Sequence, residues 1–333
     1  MRNLRLFFVW FSPKRFGNLA VVYLNFFRAR LWGRSYQPPM PLAVSIEPTT
    51  ACNLRCPECL SGLRDFTRPQ GNLSPDLFRS LINEISHNTG YLTFYFQGEP
   101  LLNRDFSDMV SYAVRKNMVV STSTNGHFLE QEQCAALIKS GLHRLIISVD
   151  GISSETYLKY RVGGDFGKVV KGIENIVLEK RNRKAYFPEI IVQFVVFSHN
   201  ESEVRKARDF FKILGVDKVV LKSAQVNNNP EMIPENPDFR RFASEPSDGN
   251  FNKDAVSCFR MWSSSVITWD GKVVPCCFDK DADFPMGKIP EQSFKEIWNS
   301  EPYLAFRDML LTAGDKPEMC RQCSEQGKVF VEA

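Results

Sequence analysis

Between residues 42 and 222, short apolar runs alternate with longer segments in which apolar side chains recur every three or four residues. Runs of the first kind are typical of buried strands, and segments of the second kind are typical of amphipathic helices. The pattern predicts strands at Leu42 to Glu47, Tyr91 to Gln97, Met118 to Thr124, Leu142 to Val149, Ile190 to Phe197 and Val219 to Lys222. It predicts helices between them at Ser74 to Ser86, Phe106 to Lys116, Glu130 to Ser140, Phe166 to Arg181 and Ser202 to Leu214.

Repeated strand–helix units connect in a right-handed sense, so the six strands should be parallel. The predicted fold is α/β, a partial (β/α)6 TIM-like barrel with a small C-terminal cysteine-rich auxiliary domain. In such folds the loops at the carboxyl ends of the strands meet at one mouth, where the chemistry takes place. The polar residues that end the predicted strands are therefore the candidates for a functional site.

Changes in composition divide the chain into five predicted parts. Residues 1–41 form a basic, aromatic helical segment, and residues 42–225 form the barrel. Residues 226–255 are polar and predict a linker or lid, residues 256–326 form the cysteine-rich domain, and residues 327–333 are a tail. The cysteine-rich part is too small to be stable without a staple such as a metal centre.

Within that part, a turn at Trp269 to Gly271 separates two short apolar stretches and predicts a hairpin. A helix is expected around Phe294 to Trp298.

Composition excludes several classes of protein. With 333 residues and 43% hydrophobic side chains, the chain can bury a large core, which excludes a disordered or fibrous protein. The net charge of +4 is unevenly distributed: residues 1–46 hold seven Lys or Arg and no acid, which leaves 35 basic against 38 acidic residues. A nearly neutral body lacks the broad basic face that nucleic acid requires, so no nucleic-acid partner is predicted.

The N-terminal segment has two apolar stretches, Leu6 to Phe11 and Leu19 to Phe27, and both are too short to span a membrane. No small-residue cleavage site follows the first stretch, so a secretory signal fits poorly. An aromatic helical face with arginines behind it leaves two interpretations open. Residues 1–36 could lie in the interface of an anionic membrane, or they could pack across the bottom of the barrel.

Seven of the nine cysteines fall into two groups, and a chain of this length does not need disulfides for its core. Thiolate ligands in a reducing compartment are expected, which predicts a cytoplasmic protein, with or without peripheral attachment to the inner face of the membrane. Cys52, Cys56 and Cys59 directly follow the first predicted strand. Three ligands leave one iron of a four-iron cluster open, which allows a cofactor or substrate to bind there.

The second group, Cys258, Cys276, Cys320 and Cys323, supplies four thiolates, and four ligands can close a cluster. A structural zinc site needs only the same four residues and stays open as an alternative. Cys277 could substitute for Cys276. Zinc fits the first group less well, because zinc sites usually pair Cys-x-x-Cys elements and no histidine is placed to complete that group.

The Cys-x3-Cys-x2-Cys spacing after the first strand, followed in order by motifs at the later strand ends, resembles the radical S-adenosylmethionine superfamily. The resemblance implies a 4Fe–4S cluster with an open iron on Cys52, Cys56 and Cys59, to which S-adenosylmethionine binds. Reductive cleavage of that cofactor would give a 5′-deoxyadenosyl radical that abstracts hydrogen from substrate.

The same resemblance implies the cofactor contacts. Gly98, Glu99 and Pro100 resemble the family's Gly-Gly-Glu-Pro motif, which binds the methionine amino group, and Arg161 resembles the arginine that pairs with the methionine carboxylate. The other candidate cofactor contacts are Ser123, Asn125, Ser148 and, for the ribose, Gln193. The sequence departs from the family at Gln97, where a glycine is usual, and at Glu58, where an aromatic residue is common. No role is assigned to Glu58.

The C-terminal cysteines resemble the SPASM auxiliary-cluster region in its shorter twitch form. This implies one auxiliary 4Fe–4S cluster on Cys258, Cys276, Cys320 and Cys323, which could accept an electron from a substrate radical. Asp279 could then accept a proton. The alternative for Asp279 is a turn residue.

The predicted reaction is a two-electron oxidation of a small alcohol, sugar or lipid precursor, with a flavodoxin- or ferredoxin-like reductant. The alternative is a peptide or protein maturase of the SPASM type, and the lack of a peptide-recognition domain before the barrel favours the small substrate. A non-catalytic iron–sulfur or zinc-binding protein is the alternative of another class. Such a protein would not need Glu99 and Arg161.

Overall fold

The computed structural model describes residues 2–36, 38–242, 258–312, 316–321, 323 and 327–332. Its centre is a run of six parallel strands, in which each strand pairs with the next along the chain. The strands β1 to β6 are Ala43–Ile46, Tyr91–Thr93, Val119–Thr124, Arg144–Ser148, Glu189–Val196 and Lys218–Ser223. The predicted partial barrel is confirmed.

Thirteen α-helices occur in the described part of the chain. Two precede the sheet, α1 (Arg2–Trp10) and α2 (Pro13–Trp32). Those between the strands are α3 (Leu60–Leu63), α4 (Pro75–Ile85), α5 (Phe106–Arg115), α6 (Gln131–Lys139), α7 (Ser154–Tyr160), α8 (Phe166–Asn182) and α9 (Val204–Ile213). Those after β6 are α10 (Arg260–Ser263), α11 (Phe294–Trp298), α12 (Glu301–Leu311) and α13 (Glu318–Arg321).

The second strand is shorter than predicted. It ends at Thr93, whereas the apolar pattern extends to Gln97. The reason is that Phe96 packs against Val266 and Val274 of the C-terminal hairpin, so the chain leaves the sheet before Gln97.

Strand β5 has a packed outer face and a more open inner face, whereas β3 is buried at every position but one. Along β5 the even-numbered residues from Ile190 to Val196 are buried against the helices, whereas the odd-numbered residues between Glu189 and Val195 are only half-buried. Parallel strands covered on both faces would be buried at every position. The alternation therefore indicates an open interior that a ligand can enter.

The C-terminal segment is joined to the barrel sheet, and its described residues add a small hydrophobic cluster of Val266, Val274 and Ala282. Strand β7 (Ser264–Ile267) pairs parallel with β1 and continues through a hairpin into β8 (Lys272–Val274) and β9 (Gly287–Lys288). At the other edge, β10 (Phe330–Val331) pairs antiparallel with β6.

Packing continues across the same boundary. Trp262, Phe294 and Trp298 belong to the hydrophobic cluster that contains the barrel strands. The segment therefore packs into the core of the barrel, and the expectation that it also needs a metal staple stays a prediction.

The predicted polar linker is described only in part. Residues 230–232 and 237–239 form short 3-10 helices, and residues 243–255 lie outside the described residues. The division into five parts therefore stays a prediction. None of the described helices is both long enough and apolar enough to cross a membrane.

Candidate functional site

The loop after β1 places three thiols at the carboxyl ends of the strands. Cys56 is buried, and Cys52 and Cys59 are half-buried. Burial raises the pKa of the Cys52 thiol and raises that of Cys56 to about 12, and the neighbouring thiols add to both shifts. These mutual effects show that the three sulfur atoms lie near one another. A metal bound to them would favour the thiolates, which are the metal-binding form.

Close backbone contact fixes this loop against the end of the second strand. The Glu99 N–H donates to the carbonyl of Ala51 at 2.7 Å. Gly98 has a φ of +74°, and a Cβ there would lie 2.3 Å from the carbonyl oxygen of Thr49. Only glycine fits this position without a shift of the backbone.

Glu99 is buried, and its carboxylate caps the short 3-10 helix Pro100–Leu102. Oε1 accepts from Thr124 Oγ1 at 2.7 Å and from the Leu101 N–H at 3.2 Å, and Oε2 accepts from the Asn125 N–H at 2.7 Å. Burial raises the pKa of Glu99, and these hydrogen bonds oppose the shift. A carboxylate has about four acceptor positions, so one remains for an ammonium group. The predicted contact to the methionine amino group fits this geometry and stays a prediction.

Arg161 lies between the cysteine loop and a buried acid. Its Nε donates to Asp150 Oδ2 at 2.6 Å, and its Nη1 lies 4.0 Å from Cys56 Sγ. Asp150 is held by the Val195 N–H, which donates to Oδ1 at 2.8 Å. Burial opposes the charge on Arg161, but Asp150 and Cys56 raise the pKa of the guanidinium well above its ordinary value.

The guanidinium is thus a fixed cation beside the thiols. Sequence reasoning did not single out Asp150. Its position two residues after Ser148, at the end of β4, is the only signal that could have pointed to it.

Three further predicted cofactor residues come together on the inner face of the sheet. The hydroxyl oxygens of Ser123 and Ser148 are 3.3 Å apart, and Ser148 pairs in register with Gln193 on β5. These side chains form a polar strip that continues from the cysteine loop into the interior. Their contacts to a cofactor stay predictions.

Both the nitrogen and the oxygen of the Asn125 side-chain amide contact other side chains of the protein. Its Nδ2 donates to Asn53 Oδ1 in the cysteine loop at 2.7 Å, and its Oδ1 lies 2.9 Å from His127 Nδ1. The Asp165 N–H donates to His127 Nε2 at 2.8 Å, so the proton of the neutral ring must be on Nδ1. Asn125 therefore orients the cysteine loop, and a second amide hydrogen is left for a cofactor contact.

A cavity of about 240 Å³ lies beside the cysteine loop, at the carboxyl ends of β5 and β6. Cys59, Tyr160, Lys222 and Lys280 are among its lining residues. The cavity joins the cysteine loop to the C-terminal segment. Its lysines favour a ligand that carries negative charge.

The two residues that depart from the family pattern both have structural roles. Gln97 Oε1 accepts from Ser61 Oγ at 3.1 Å, and Ser61 Oγ in turn accepts from the Gly98 N–H at 2.9 Å. Glu58 accepts from the Asn227 N–H at 2.7 Å and from Asn229 Nδ2 at 2.5 Å. Glu58 therefore holds residues 227–229 against the cysteine loop, a role that the sequence did not reveal.

The C-terminal cysteines also lie near one another. The pKa of Cys276 is raised by a hydrogen bond with Cys277 and by burial, with a smaller effect from Cys258. The pKa of Cys320 is raised to about 12, first by burial and then by Cys258 and Cys323. The predicted ligands thus form one group, with Cys277 beside it.

In the described ranges, no three His, Cys, Asp or Glu side chains converge as they would on a single metal ion. A polynuclear cluster binds each thiolate through a different iron, so it does not require convergence on one point. The two groups of cysteines fit clusters of this kind in ligand type and number. The assignment of individual ligands stays a prediction.

Asp279 has a structural role in its loop. Its two carboxylate oxygens accept from the N–H groups of Asp283 and Phe284, at 2.8 and 3.0 Å. These hydrogen bonds are typical of a turn residue, which is the alternative interpretation of Asp279 given by the sequence. Proton acceptance by Asp279 stays a prediction that none of these contacts supports.

A buried ion pair attaches that loop to the barrel. Arg68 donates from Nη1 and Nη2 to Glu47 at the end of β1, at 2.8 and 2.6 Å. Its Nε donates to the carbonyl of Lys280 at 3.2 Å. The pair therefore fixes the cavity wall that carries Lys280.

Comparison with known proteins gives two family matches. The Radical SAM superfamily model matches residues 46–211, and the SPASM iron-sulfur cluster-binding domain matches residues 258–324. A PqqA peptide cyclase of Rhodopseudomonas palustris is 33% identical, over 86% of this chain and 80% of the relative. An AdoMet-dependent heme synthase of Methanosarcina barkeri is 31% identical, over 80% of this chain and 85% of the relative.

Among solved structures, Streptococcus suis SuiB bound to S-adenosylmethionine has the same fold. The TM-score is 0.65 at 14% identity, over 89% of this chain and 73% of that one.

Proposed function

The chain belongs to the radical SAM superfamily and carries a SPASM iron–sulfur domain, and we propose that it modifies a residue of a peptide or protein substrate. Family membership makes it an enzyme that uses S-adenosylmethionine, a 4Fe–4S cluster and auxiliary iron–sulfur chemistry. When bound, the cluster and S-adenosylmethionine supply the radical that abstracts hydrogen from substrate.

The observation that carries the peptide proposal is the similarity to PqqA peptide cyclase over most of both chains. The sequence predicts a small alcohol, sugar or lipid precursor as the substrate, with a peptide as the alternative. The comparisons favour the peptide alternative. The heme synthase similarity favours a second candidate, a tetrapyrrole, and the experiment below separates the two.

In this proposal the residues of the mouth bind and orient the reactants. Cys52, Cys56 and Cys59 hold the cluster, and the guanidinium of Arg161 holds the methionine carboxylate. Asp150 is a positioning residue, because its ion pair with Arg161 at 2.6 Å fixes the guanidinium beside Cys56. The three hydrogen bonds to Glu99 fix its carboxylate for the methionine ammonium group.

The cavity beside Cys59 is the proposed place for the reacting part of the substrate. Its lining carries three cations, Lys222, Arg241 and Lys280, against one carboxylate, Glu58, so the cations are in excess. A carboxylate on the peptide, from an acidic side chain or from its C-terminus, would complement this charge. An electron released by the substrate could pass to the C-terminal cluster, for which Cys258, Cys276, Cys320 and Cys323 are the proposed ligands.

The test uses the anaerobically reconstituted enzyme with S-adenosylmethionine and dithionite. The peptides encoded by short reading frames beside its gene are compared with iron-coproporphyrin and with no substrate. The proposal predicts that a peptide increases 5′-deoxyadenosine formation and is itself changed in mass, with a deficit of two hydrogen atoms for a cross-link or oxidation. Turnover of the tetrapyrrole with unchanged peptides would contradict it.

A further inference from the structure

Helix α2 buries both apolar and polar residues, since Val22, Phe26 and Ala29 join the core beside buried polar side chains, and its exposed side is largely apolar. Arg15, Asn18 and Asn25 are buried, whereas Phe16, Leu24, Phe27 and Leu31 are exposed, Leu31 with 77% of its surface accessible. The four exposed residues are eight, three and four positions apart, so they form one stripe along the helix. The exposed side of a surface helix in a globular protein is normally polar.

Two of the buried polar residues of α2 are hydrogen-bonded to backbone carbonyls of the barrel and of the segment before it. Arg15 donates to the carbonyl of Ser86 at 2.6 Å and to that of Asn117 at 2.6 Å, at the C-terminal ends of α4 and α5. Asn18 Nδ2 donates to the carbonyl of Met40 at 2.7 Å. A cation at the ends of two helices is favourable, so this orientation of α2 is specified by the sequence.

Helix α1 extends the apolar surface. Leu4, Phe7, Phe8 and Phe11 are exposed at the spacing of a single helical face, Phe8 with 67% of its surface accessible. The rings of Phe11 and Phe16 are 6.3 Å apart, which connects the stripes of the two helices. Of the nineteen large apolar side chains exposed in the described part of the chain, eleven lie between Leu4 and Trp32. A concentration of this kind marks an interaction surface.

The charges around this surface have one sign. Residues 1–46 contain seven Lys or Arg and no acid. Lys14 and Arg30 are exposed, and they lie on the two sides of the apolar stripe of α2. A helical segment that combines an exposed aromatic and aliphatic face with cations and no acid of its own is typical of a helix that lies in the interface of an anionic bilayer.

We propose that α1 and α2 bind the protein to the surface of a membrane that contains anionic lipids. The exposed apolar residues from Leu4 to Leu31 enter the boundary between headgroups and acyl chains, and the exposed Lys14, Arg30 and Arg34 contact lipid phosphates. No described helix could span the bilayer, so the association is peripheral. The surface does not depend on the proposed substrate.

The structure also fixes the orientation of the bound protein. Leu6, Phe7 and Trp10 of α1 lie over Tyr91, Val119 and Arg144, the first residues of β2, β3 and β4. The helices therefore cover the amino-terminal ends of the strands, and the cysteine loop is at the opposite ends. Membrane binding would direct the mouth toward the aqueous phase, where it is accessible to a peptide.

The two interpretations left open by the sequence are therefore compatible. The helices pack across the bottom of the barrel, and their outer face is available to lipid.

The experiment is vesicle flotation of the reconstituted, full-length protein. Vesicles of phosphatidylcholine alone are compared with vesicles that contain about 30% phosphatidylglycerol, at low and high salt. The proposal predicts binding to the anionic vesicles that high salt weakens. The F27E/L31E variant should bind at least about tenfold more weakly, because two charges replace inserted apolar side chains.

The matched control is L178E/I213E, which places the same charges at exposed apolar positions of α8 and α9. It should bind vesicles like the wild type, and both variants should cleave S-adenosylmethionine at the wild-type rate. Failure of the wild type to bind anionic vesicles would overturn the proposal. Equal binding of anionic vesicles by F27E/L31E and the wild type would also overturn it. A third contrary result would be a wild-type dimer in sedimentation that F27E/L31E abolishes, with no vesicle binding by either protein, because the surface would then bind a second copy of the chain.

Discussion

Arg161 and Asp150 form a buried ion pair in which Nε and Oδ2 are 2.6 Å apart, and the same guanidinium lies 4.0 Å from the Cys56 sulfur. Asp150 also accepts a backbone hydrogen bond from β5, so the position of the cation depends on two neighbouring strands. The pair links the sheet to the cysteine loop, and its loss should affect both stability and cofactor binding.

Asp150→Asn should lower the free energy of unfolding by about 3 kcal/mol, because a buried guanidinium would lose its counter-charge. It should also weaken binding of S-adenosylmethionine while the iron content stays unchanged. Urea denaturation and equilibrium binding measure the two effects. The D150N/R161Q variant should lose less stability than the two single variants together. A D150N protein as stable as the wild type would show that the pair does not fix Arg161.

Glu58→Gln should loosen residues 227–229, because a neutral amide replaces a carboxylate that accepts hydrogen bonds from all three residues. Hydrogen bonds to charged groups contribute about 2 kcal/mol, so amide exchange in that segment should accelerate at least about tenfold. Hydrogen–deuterium exchange by mass spectrometry measures it. The control is Glu84→Gln, whose carboxylate accepts from the N–H groups of Phe294 and Lys295 and should leave residues 227–229 unchanged. Equal exchange in E58Q and the wild type would sink this prediction.

Cys276→Ala should remove the auxiliary cluster and lower the iron content by about four per chain, whereas Cys277→Ala should not. The reason is that four residues separate Gly271 from Cys276, which is the Gly-x4-Cys spacing implied by the resemblance to the SPASM region, although Cys276 and Cys277 are hydrogen-bonded neighbours. Iron analysis and electron paramagnetic resonance of the anaerobic variants measure the outcome. The opposite pattern, with iron lost only from C277A, would assign the ligand to Cys277.

His143 should make the protein less stable as the pH falls from 7.5 to 5. Its Nδ1 accepts from the Val120 N–H at 3.2 Å, and burial lowers its pKa from 6.5 to about 4. The unfolded chain therefore binds a proton below pH 6.5 that the folded protein binds only near pH 4. The stability contribution is present above pH 6.5 and is lost as the pH falls, by about 2 kcal/mol at pH 5.

His143→Asn keeps an acceptor near Nδ1 but does not titrate, so its denaturation curves should show a pH dependence that is weaker by that amount. If H143N and the wild type had parallel profiles, His143 would not be the titrating group.

The periodic parts of the fold could be predicted from the sequence. The observed ends of β3, β5, α4 and α5 each lie within one residue of the predicted ends. Local apolar spacing determines such elements, because each one buries a single face. The three thiols could also be assigned to one loop, because they lie within eight residues of one another shortly after β1.

Contacts between residues distant in the sequence could not be predicted. Glu58 is 169 residues from Asn227, and Thr67 is 214 residues from Asp281, to which it donates. Neither contact has a local pattern, because the first depends on how the chain after β6 passes the cysteine loop and the second on how the C-terminal segment packs against β1. The shared core of Trp262 and Trp298 with the barrel strands was missed for the same physical reason.

The central claim is that three thiolates after β1 hold a cluster at which S-adenosylmethionine is cleaved. The most direct test is anaerobic reconstitution with iron and sulfide, followed by incubation with dithionite and S-adenosylmethionine. The account predicts 5′-deoxyadenosine and methionine in equal amounts from the wild type, and neither product from the C52A/C56A/C59A variant. Intact S-adenosylmethionine after hours, from protein that binds one zinc and no iron at these thiols, would contradict it.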